Sequence, residues 1–456
     1  MRALEPVWIW LMACVALAGS AMSPAIGNAQ TIAADQPQLT ARGNFAVGVR
    51  RLSFTHPNQP DFERIGLTGI PKSDRVIEVE IWYPVARAAG LTEQIIYTIP
   101  TTSNQAISPD KLPAMVTYSG QAARNAEPVR GHHFPLVILS HGFTNAADGF
   151  SALAENLASK GYVVASIEHR DPDPYYGRGA NIAIGKVISR RTVDQRFIIA
   201  QLTLQATAAD APLRDVYDPV NVALIGYSMG GFGAISSAGA GFSKDSPIYK
   251  SPLGKLIEPY TEGGIGEQDT ALPSLKAMVL LAPWGGAQPY RAWSPAALGN
   301  IKVPTLVIDG DQDDIADFAG GVKYIYDNMT GSNRYLLVYE NARHNIALNE
   351  TPPELAKIYP YIEHSEEPVW RTDRILAINI HFITAFLDAR LKADTAHEAF
   401  LHVPTAKSND GVWPQAPDAK YKGDHYPDGH DEGAKAWPGF QRRWALGLEL
   451  YHDGGK

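Results

Sequence analysis

Asn221-Val222-Ala223-Leu224-Ile225-Gly226-Tyr227-Ser228-Met229-Gly230-Gly231 changes character twice within a short span. Its first half is an apolar run of strand type. Its second half opens a helix of small residues that continues to about Ala240. Between them stands Gly-x-Ser-x-Gly. At a strand-to-helix junction this pattern predicts a strained turn, a nucleophile elbow, that thrusts the Ser228 hydroxyl into a cleft. Gly226 and Gly230 belong there because backbone segments pass where a Cβ would clash. The helix N-terminus favours negative charge developing beside it. An ordinary glycine-rich turn is the plain alternative.

A serine hydroxyl is a weak nucleophile at neutral pH and needs a base. With this elbow the partners follow in the order serine, acid, histidine. His344 lies in Glu340-Asn341-Ala342-Arg343-His344-Asn345, directly after the apolar run Tyr335 to Tyr339. His364, His381 and the histidines of the tail lie on helix or in irregular sequence, away from strand ends. His344 is therefore the expected base. The acid is sought in Asp309-Gly310-Asp311-Gln312-Asp313-Asp314, after another buried strand. The turn places Asp313 to receive the His344 Nδ1 proton and fix its tautomer. Asp314, then Asp309 or Asp311, are the alternatives. The alternating aspartates also resemble a calcium loop, but Asp314 stands where that loop needs Gly and Gly320 where it needs Glu. No metal or cofactor is expected.

An acyl-transfer reaction also needs two backbone donors for the oxyanion. Met229 N–H, next to the serine, is one candidate. Phe143 N–H is the other, in Ser140-His141-Gly142-Phe143-Thr144 after the run Pro135 to Leu139. His141 reads as a structural hydrogen-bonding residue. Trp284, near the end of the run Ala277 to Ala282, is a candidate pocket residue, with core packing as the alternative.

Outward from the elbow, short apolar strands alternate with helices. Strands are expected at 135–139, 162–167, 221–226, 277–282, 305–309 and, as the last, 335–339. Helices are expected at 151–160, 192–207, 229–240, 318–328 and 374–391. This alternation predicts an α/β fold: a mostly parallel central sheet with helices on both faces. Near the start, Arg75 to Tyr83 alternates like a half-solvated antiparallel strand, with Phe45 to Phe54 as its partner. Residues 85–133 read as irregular. The chain divides into a leader over 1–29, a catalytic domain over 30–395 with 241–274 as a candidate lid, and an extension over 396–456. Trp413 and Trp437 are expected to anchor that extension on the catalytic domain.

Arg2 followed by the apolar stretch Val7 to Met22 and by Gly27-Asn28-Ala29 has the layout of a secretory signal peptide. The stretch is shorter than the ~20 residues a spanning helix needs. An exported protein is expected, periplasmic or secreted, without a transmembrane segment in the mature chain. Lipoprotein processing at Cys14 is the weaker reading. Cys14 is the only cysteine, so removal of the leader leaves no disulfide, cysteine nucleophile or thiolate metal site. A net charge of −8 argues against nucleic acid, whose binding needs a basic surface.

Two further clusters stand out. Glu168-His169-Arg170-Asp171 ends the 162–167 strand and reads as a buried ion-pair network bracing a loop, with a second acid–base group as the alternative. Asp424, His425, Asp428, His430, Asp431 and Glu432 lack metal-ligand spacing and read as a solvated loop.

Taken together, residues 45–392 resemble the platelet-activating-factor acetylhydrolase and predicted dienelactone-hydrolase branch of the α/β hydrolases. The resemblance rests on Val79-Glu80-Ile81-Trp82-Tyr83-Pro84, Phe134 to Phe143 with its Ser-His-Gly, Gly161 to Asp171 ending in Glu-His-Arg-Asp, the Ser228 elbow and His344-Asn345. It implies an α/β-hydrolase fold and hydrolysis of carboxylic esters by a Ser-Asp-His triad without a metal. Two departures limit it. The animal acetylhydrolases carry their acid after the strand that follows the nucleophile helix, and here that place reads Leu281-Ala282-Pro283-Trp284. The acid then comes from the next strand, as in bacterial polyester hydrolases and cutinase-like enzymes, whose Asp-x-Ile-Ala resembles Asp313-Asp314-Ile315-Ala316. The cysteine nucleophile of true dienelactone hydrolases is absent. The expected activity is a serine esterase acting on a small-molecule or lipid ester. A peptidase or amidase on the same triad, and an inactive secreted binding protein on this scaffold, are the alternatives. Substrate chain length and oligomeric state stay open.

Overall fold

The computed structural model describes residues 33–66, 69–101, 111–171, 180–264, 272–413 and 435–455. The leader, the Asp424–Glu432 cluster and residues 265–271 of the candidate lid lie outside the described residues. Among the described residues twelve strands form one ten-stranded sheet and one separate antiparallel pair. In chain order they are β1 (Ala46–Pro60), β2 (Lys72–Val85), β3 (Ile95–Pro100), β4 (Met115–Gly120), β5 (Ala123–Arg124), β6 (Phe134–Ser140), β7 (Val163–Glu168), β8 (Tyr217–Tyr227), β9 (Leu275–Leu281), β10 (Thr305–Gly310), β11 (Arg334–Tyr339) and β12 (Leu448–Asp453). The large sheet runs β12-β11-β10-β9-β8-β6-β7-β2-β1-β5. Strands β6 to β11 are mutually parallel, while β2 joins β7, and β12 joins β11, antiparallel.

The continuous apolar runs make sense on this sheet. Successive side chains of a strand point to opposite faces, and here both faces are covered. Leu136 and Ile138 of β6 join a core with α2 (Ala180–Gln205) and α3 (Met229–Ser237). Val137 and Leu139 join a second core with α1 (Ser151–Ser159) and α4 (Thr372–Leu391). The same division holds along β8, where Leu224 faces one core and Ala223 and Ile225 the other. The fold is therefore α/β, a mostly parallel sheet between two helical layers with an antiparallel strand pair at its N-terminal side. Among the described residues no helix is long and apolar enough to cross a membrane.

Four elements differ from expectation. Strand β2 is not half-solvated: Glu80 and Trp82 on its second face are buried. The strand lies inside the sheet between β1 and β7, and β3 covers it, with Trp82 Nε1 donating to Tyr97 Oη at 2.7 Å. Glu80 is satisfied there by Arg51 and Arg124. Residues 85–133 hold β3, β4 and β5 rather than irregular chain alone. Helix α2 begins by Ala180, twelve residues before 192. Its first half carries Gly185 and several β-branched residues, so intrinsic propensity is low and packing decides. Strand β11 is not the last, because β12 pairs beside it over the register Arg334↔Asp453 to Tyr339↔Leu448. The tail is tied down further where Trp437, buried, donates to Thr405 O at 3.0 Å and Leu450 N to Ala406 O at 2.8 Å.

The order of strands positions the site. From β6 the chain goes first to β7 on one side, then crosses to β8 on the other. In open α/β sheets a crevice forms at such a switch, outside the carboxyl ends of the strands. The loops leaving β6 and β8 are neighbours there. The loops after β9, β10 and β11 leave from the same end.

Candidate active site

Ser228 stands between β8 and α3 with φ 51° and ψ −112°. A non-glycine residue there is strained, and such strain is held only where surrounding structure over-determines it. The hold is visible. Ser228 N donates to Leu281 O at 2.9 Å, and Ser228 O accepts from Phe232 N at 3.0 Å and Trp284 N at 3.2 Å. A Cβ on Gly226 would stand 2.5 Å from the Gly230 carbonyl, and one on Gly230 only 1.9 Å from the Ser140 carbonyl oxygen. Both glycines are required by close backbone approach.

His344, in the loop after β11, brings Nε2 to 3.0 Å from Ser228 Oγ. Its Nδ1 lies 2.7 Å from Asp313 Oδ2, in the loop after β10. The other carboxylate oxygen of Asp313 accepts from Ile315 N at 2.7 Å and Ala316 N at 2.8 Å. Burial works against ionisation of Asp313, but the His344 bond and charge and these two amides outweigh it and lower its pKa. A carboxylate facing Nδ1 makes that nitrogen the donor, which leaves Nε2 free to accept the serine proton. Ser228 and His344 are 7% and 8% exposed, so a little of each reaches solvent at the carboxyl end of the sheet.

The other aspartates of the loop do not touch His344. Asp314 holds Arg343 through two bonds of 2.8 and 2.9 Å. Asp311 accepts from Asn341 N at 2.7 Å. Asp309 is fully buried behind Asp313. Its oxygens meet no N–H or O–H donor among the described residues. Burial first, then the Asp313 charge, hold its carboxyl well above the usual carboxylate range.

The sequence did not single out Glu367 or Tyr227. Glu367 Oε2 accepts from Arg343 N at 2.5 Å and Oε1 from Asn345 N at 2.8 Å, so one buried carboxylate grips the amides on both sides of His344. The buried Tyr227 Oη donates to His344 O at 3.2 Å, with the two rings 5.3 Å apart. Glu367 sits in a loop without a motif, and only the fold brings it to His344. Tyr227 lies inside the elbow, where an aromatic before the serine was the available signal.

Phe143 lies in the loop after β6 and Met229 at the first position of α3, on the two sides of the switch point. Neither backbone N–H has a hydrogen-bond partner among the described residues, so both can serve a ligand. The loop is braced from behind. Arg191 Nη2 donates to Gly142 O at 3.1 Å and Arg191 also pairs with buried Asp171, which accepts from Thr144 N at 3.0 Å. His141 is buried and bonds locally through Nδ1 to Gly142 O at 2.7 Å. Glu168 accepts from Ala147 N and Arg170 N.

Trp284 follows β9. Its amide bonds to Ser228 O, and its side chain lines an apolar cavity of about 520 Å³. Ile184 and Ile188 of α2 and Ile248 and Leu253 from the segment after α3 form the facing walls. A Cβ on Gly185 would lie 2.2 Å from Leu253 Cδ1, so that glycine lets the segment seat on α2.

Residues 32–176 match the family model described as platelet-activating factor acetylhydrolase, isoform II, and residues 255–359 match the model described as PET hydrolase-like. The first includes Phe143; the second includes Trp284, Asp313 and His344; Ser228 lies between them. The chain is 25% identical to cutinase est1 of Thermobifida alba over 48% of its length and 55% of that protein's. It is 24% identical to cutinase 1 of Thermobifida cellulosilytica over 48% of its length and 63% of that protein's. It is 29% identical to the platelet-activating factor acetylhydrolase of Cavia porcellus over 28% of each chain. The matched region thus spans little more than half the length of these cutinases. Sheet order, elbow and matches lead to one conclusion: the chain belongs to the α/β-hydrolase superfamily.

Proposed function

We propose that the protein is a serine esterase that cleaves carboxylic esters through an acyl-enzyme. The observation that carries this reading is the continuous line from Ser228 Oγ through His344 to Asp313, at 3.0 and 2.7 Å, on a left-handed elbow. Ser228 Oγ attacks the ester carbonyl while His344 Nε2 takes its proton. Asp313 holds the imidazole and stabilises its charged form. The amides of Phe143 and Met229 receive the oxyanion. His344 then protonates the leaving alcohol, and water, activated by the same nitrogen, releases the acid.

The cavity beside Trp284 supports an apolar group on the substrate, buried among aliphatic and aromatic walls. We read 30–395 as the catalytic domain and 241–274 as the insertion that walls this cavity, which the position of Ile248 and Leu253 supports. We read 396–456 as an extension packed on that domain, supported by the β11–β12 pairing. The leader supports an exported protein.

The test is hydrolysis of p-nitrophenyl esters from acetate to palmitate, beside matched anilides, by the wild type and Ser228→Ala. Ester turnover that Ser228→Ala abolishes is the expected result, with labelling of Ser228 by a fluorophosphonate. Faster cleavage of the anilides points to an amidase, and absence of both turnover and labelling removes the enzyme reading. Leu253→Arg should depress the longer esters about tenfold, as expected for a lost apolar contact, and spare the acetate.

A further inference from the structure

A second Ser–His–Asp line lies within the same protein. Ser140 Oγ, at the end of β6, is 2.8 Å from His169 Nε2, and His169 Nδ1 is 2.8 Å from Asp194 Oδ2 on α2. It cannot be a second reaction centre: Ser140 and His169 are 1% exposed and Asp194 is 0% exposed, so no carbonyl reaches them. What the line does is set by its far end. Gln195, next to Asp194, donates from Nε2 to Ser140 Oγ at 2.9 Å and to Gly230 O at 2.9 Å.

Ser140 leads into the loop of Phe143, and Gly230 follows Met229. The two expected oxyanion donors therefore belong to different elements, β6 and α3, and one buried amide ties those elements together. We infer that Gln195, fixed by the Ser140–His169–Asp194 line, is a positioning residue that sets the gap between the Phe143 and Met229 amides. The inference rests on the esterase reading above.

Every hydrogen-bonding position in the line has one use. Asp194 is held well below the usual carboxylate range: burial opposes this, and the Arg75 charge and the His169 and Arg75 bonds overcome it. Arg75 also donates to His169 O at 3.1 Å. Facing an ionised Asp194, His169 Nδ1 donates, so Nε2 accepts from the Ser140 hydroxyl. The Ser140 oxygen is then left to accept from Gln195. Gln195 Oε1 accepts from Ser237 Oγ at 2.8 Å, which makes the amide unable to flip without facing Gly230 O with a carbonyl. Burial, then the Arg191 charge, lowers the His169 pKa to about 3, so the imidazole is neutral near pH 7. A Cβ on Gly233 would lie 2.7 Å from Gln195 Nε2, so that glycine admits the amide between α2 and α3.

The full-length protein tests this with Gln195→Leu, which keeps the volume and removes the bonds. Displacing one oxyanion donor should lower kcat roughly 10- to 100-fold with KM within about twofold, because the ground-state ester is bound elsewhere. Affinity for a trifluoromethyl ketone, whose adduct carries the oxyanion, should fall in parallel with kcat/KM. A folded Gln195→Leu protein with wild-type kcat and ketone affinity overturns the proposal. So does a loss of kcat without loss of ketone affinity, which marks a merely structural role. Ser140→Ala cuts the same line more gently and is read the same way if Gln195→Leu does not fold. Its expected loss is about threefold in both quantities, and no change in either is equally fatal. A wild type inactive on all esters removes the esterase reading itself, whereas ester turnover indifferent to Gln195 removes only the clamp.

Discussion

Two serine–histidine–aspartate lines stand among the described residues, with nearly the same internal distances and opposite surroundings. In one, Ser228 sits on a strained elbow and keeps 7% exposure, with the Phe143 and Met229 amides unpartnered among the described residues. In the other, Ser140 ends a regular strand, and its hydroxyl is enclosed by His169 and Gln195. Hydrogen-bond geometry alone does not distinguish a reactive serine from a structural one. Access, a backbone that lifts the hydroxyl out of the sheet, and unoccupied donors for charge developing on a carbonyl oxygen do.

That contrast can be broken most directly at the serines. Ser228→Ala is expected to lower kcat on the order of 10⁵-fold, and Ser140→Ala by less than about tenfold. Equal losses in steady-state assays on one p-nitrophenyl ester would erase the distinction. At the acids the two lines should separate by readout. Asp313→Asn leaves the fold intact and costs about 10⁴ in kcat, since the imidazole is no longer held in the useful tautomer. Asp194→Asn leaves Arg75 and His169 without their buried partner and costs about 3–5 kcal/mol of stability in urea. A catalytically dead but fully stable Asp194→Asn protein would contradict this assignment.

Glu367 sharpens the comparison on the catalytic side. Glu367→Gln turns one amide acceptor into a donor against Arg343 N or Asn345 N, so the His344 loop loosens. We expect kcat to fall on the order of tenfold with KM unchanged, and unaltered kcat would show that the loop holds itself. The smallest effect concerns pH. The folded pKa of His169, about 3, lies below its unfolded value of 6.5, so between these values the unfolded chain binds the extra proton. Stability is complete above about pH 6.5 and declines below it by up to roughly 1.4 kcal/mol per pH unit from this group. The buried His381, also lowered to about 3 by burial, adds a term of the same sign. Urea midpoints at pH 7, 6 and 5 measure it, and His169→Gln should flatten the profile. A wild-type profile already flat over that span would place a proton on His169 in the folded state.

Much of this was legible in the sequence, for physical reasons. Strands β6 to β11 declare themselves because burial on both faces leaves unbroken apolar runs, and the elbow because only glycine tolerates the approach of Ser140 and Gly231. What was illegible has no local mark. Glu367 and Gln195 act at distances along the chain of 22 to 55 residues, through contacts that only the sheet order creates. Asp309 and Asp313 stand four residues apart, and burial raises the carboxyl pKa of one while His344 and two amides lower that of the other. Glu80 looked like a solvated strand residue because its polarity was visible and its partners Arg51 and Arg124 were not.

Strand β12 has a consequence in time. During synthesis the β10 and β11 edge, from which Asp313 and His344 hang, is complete long before Leu448 to Asp453 emerge. Over that interval β11 presents a bare row of amides and carbonyls to any passing chain. The Glu340 amide, four residues before the histidine, has its acceptor in Gly447. The base loop therefore gains its last anchor from residues a hundred positions further on, and a chain cut short before them would keep the grip of Glu367 and Asp313 but leave the strand that carries the loop with an open edge.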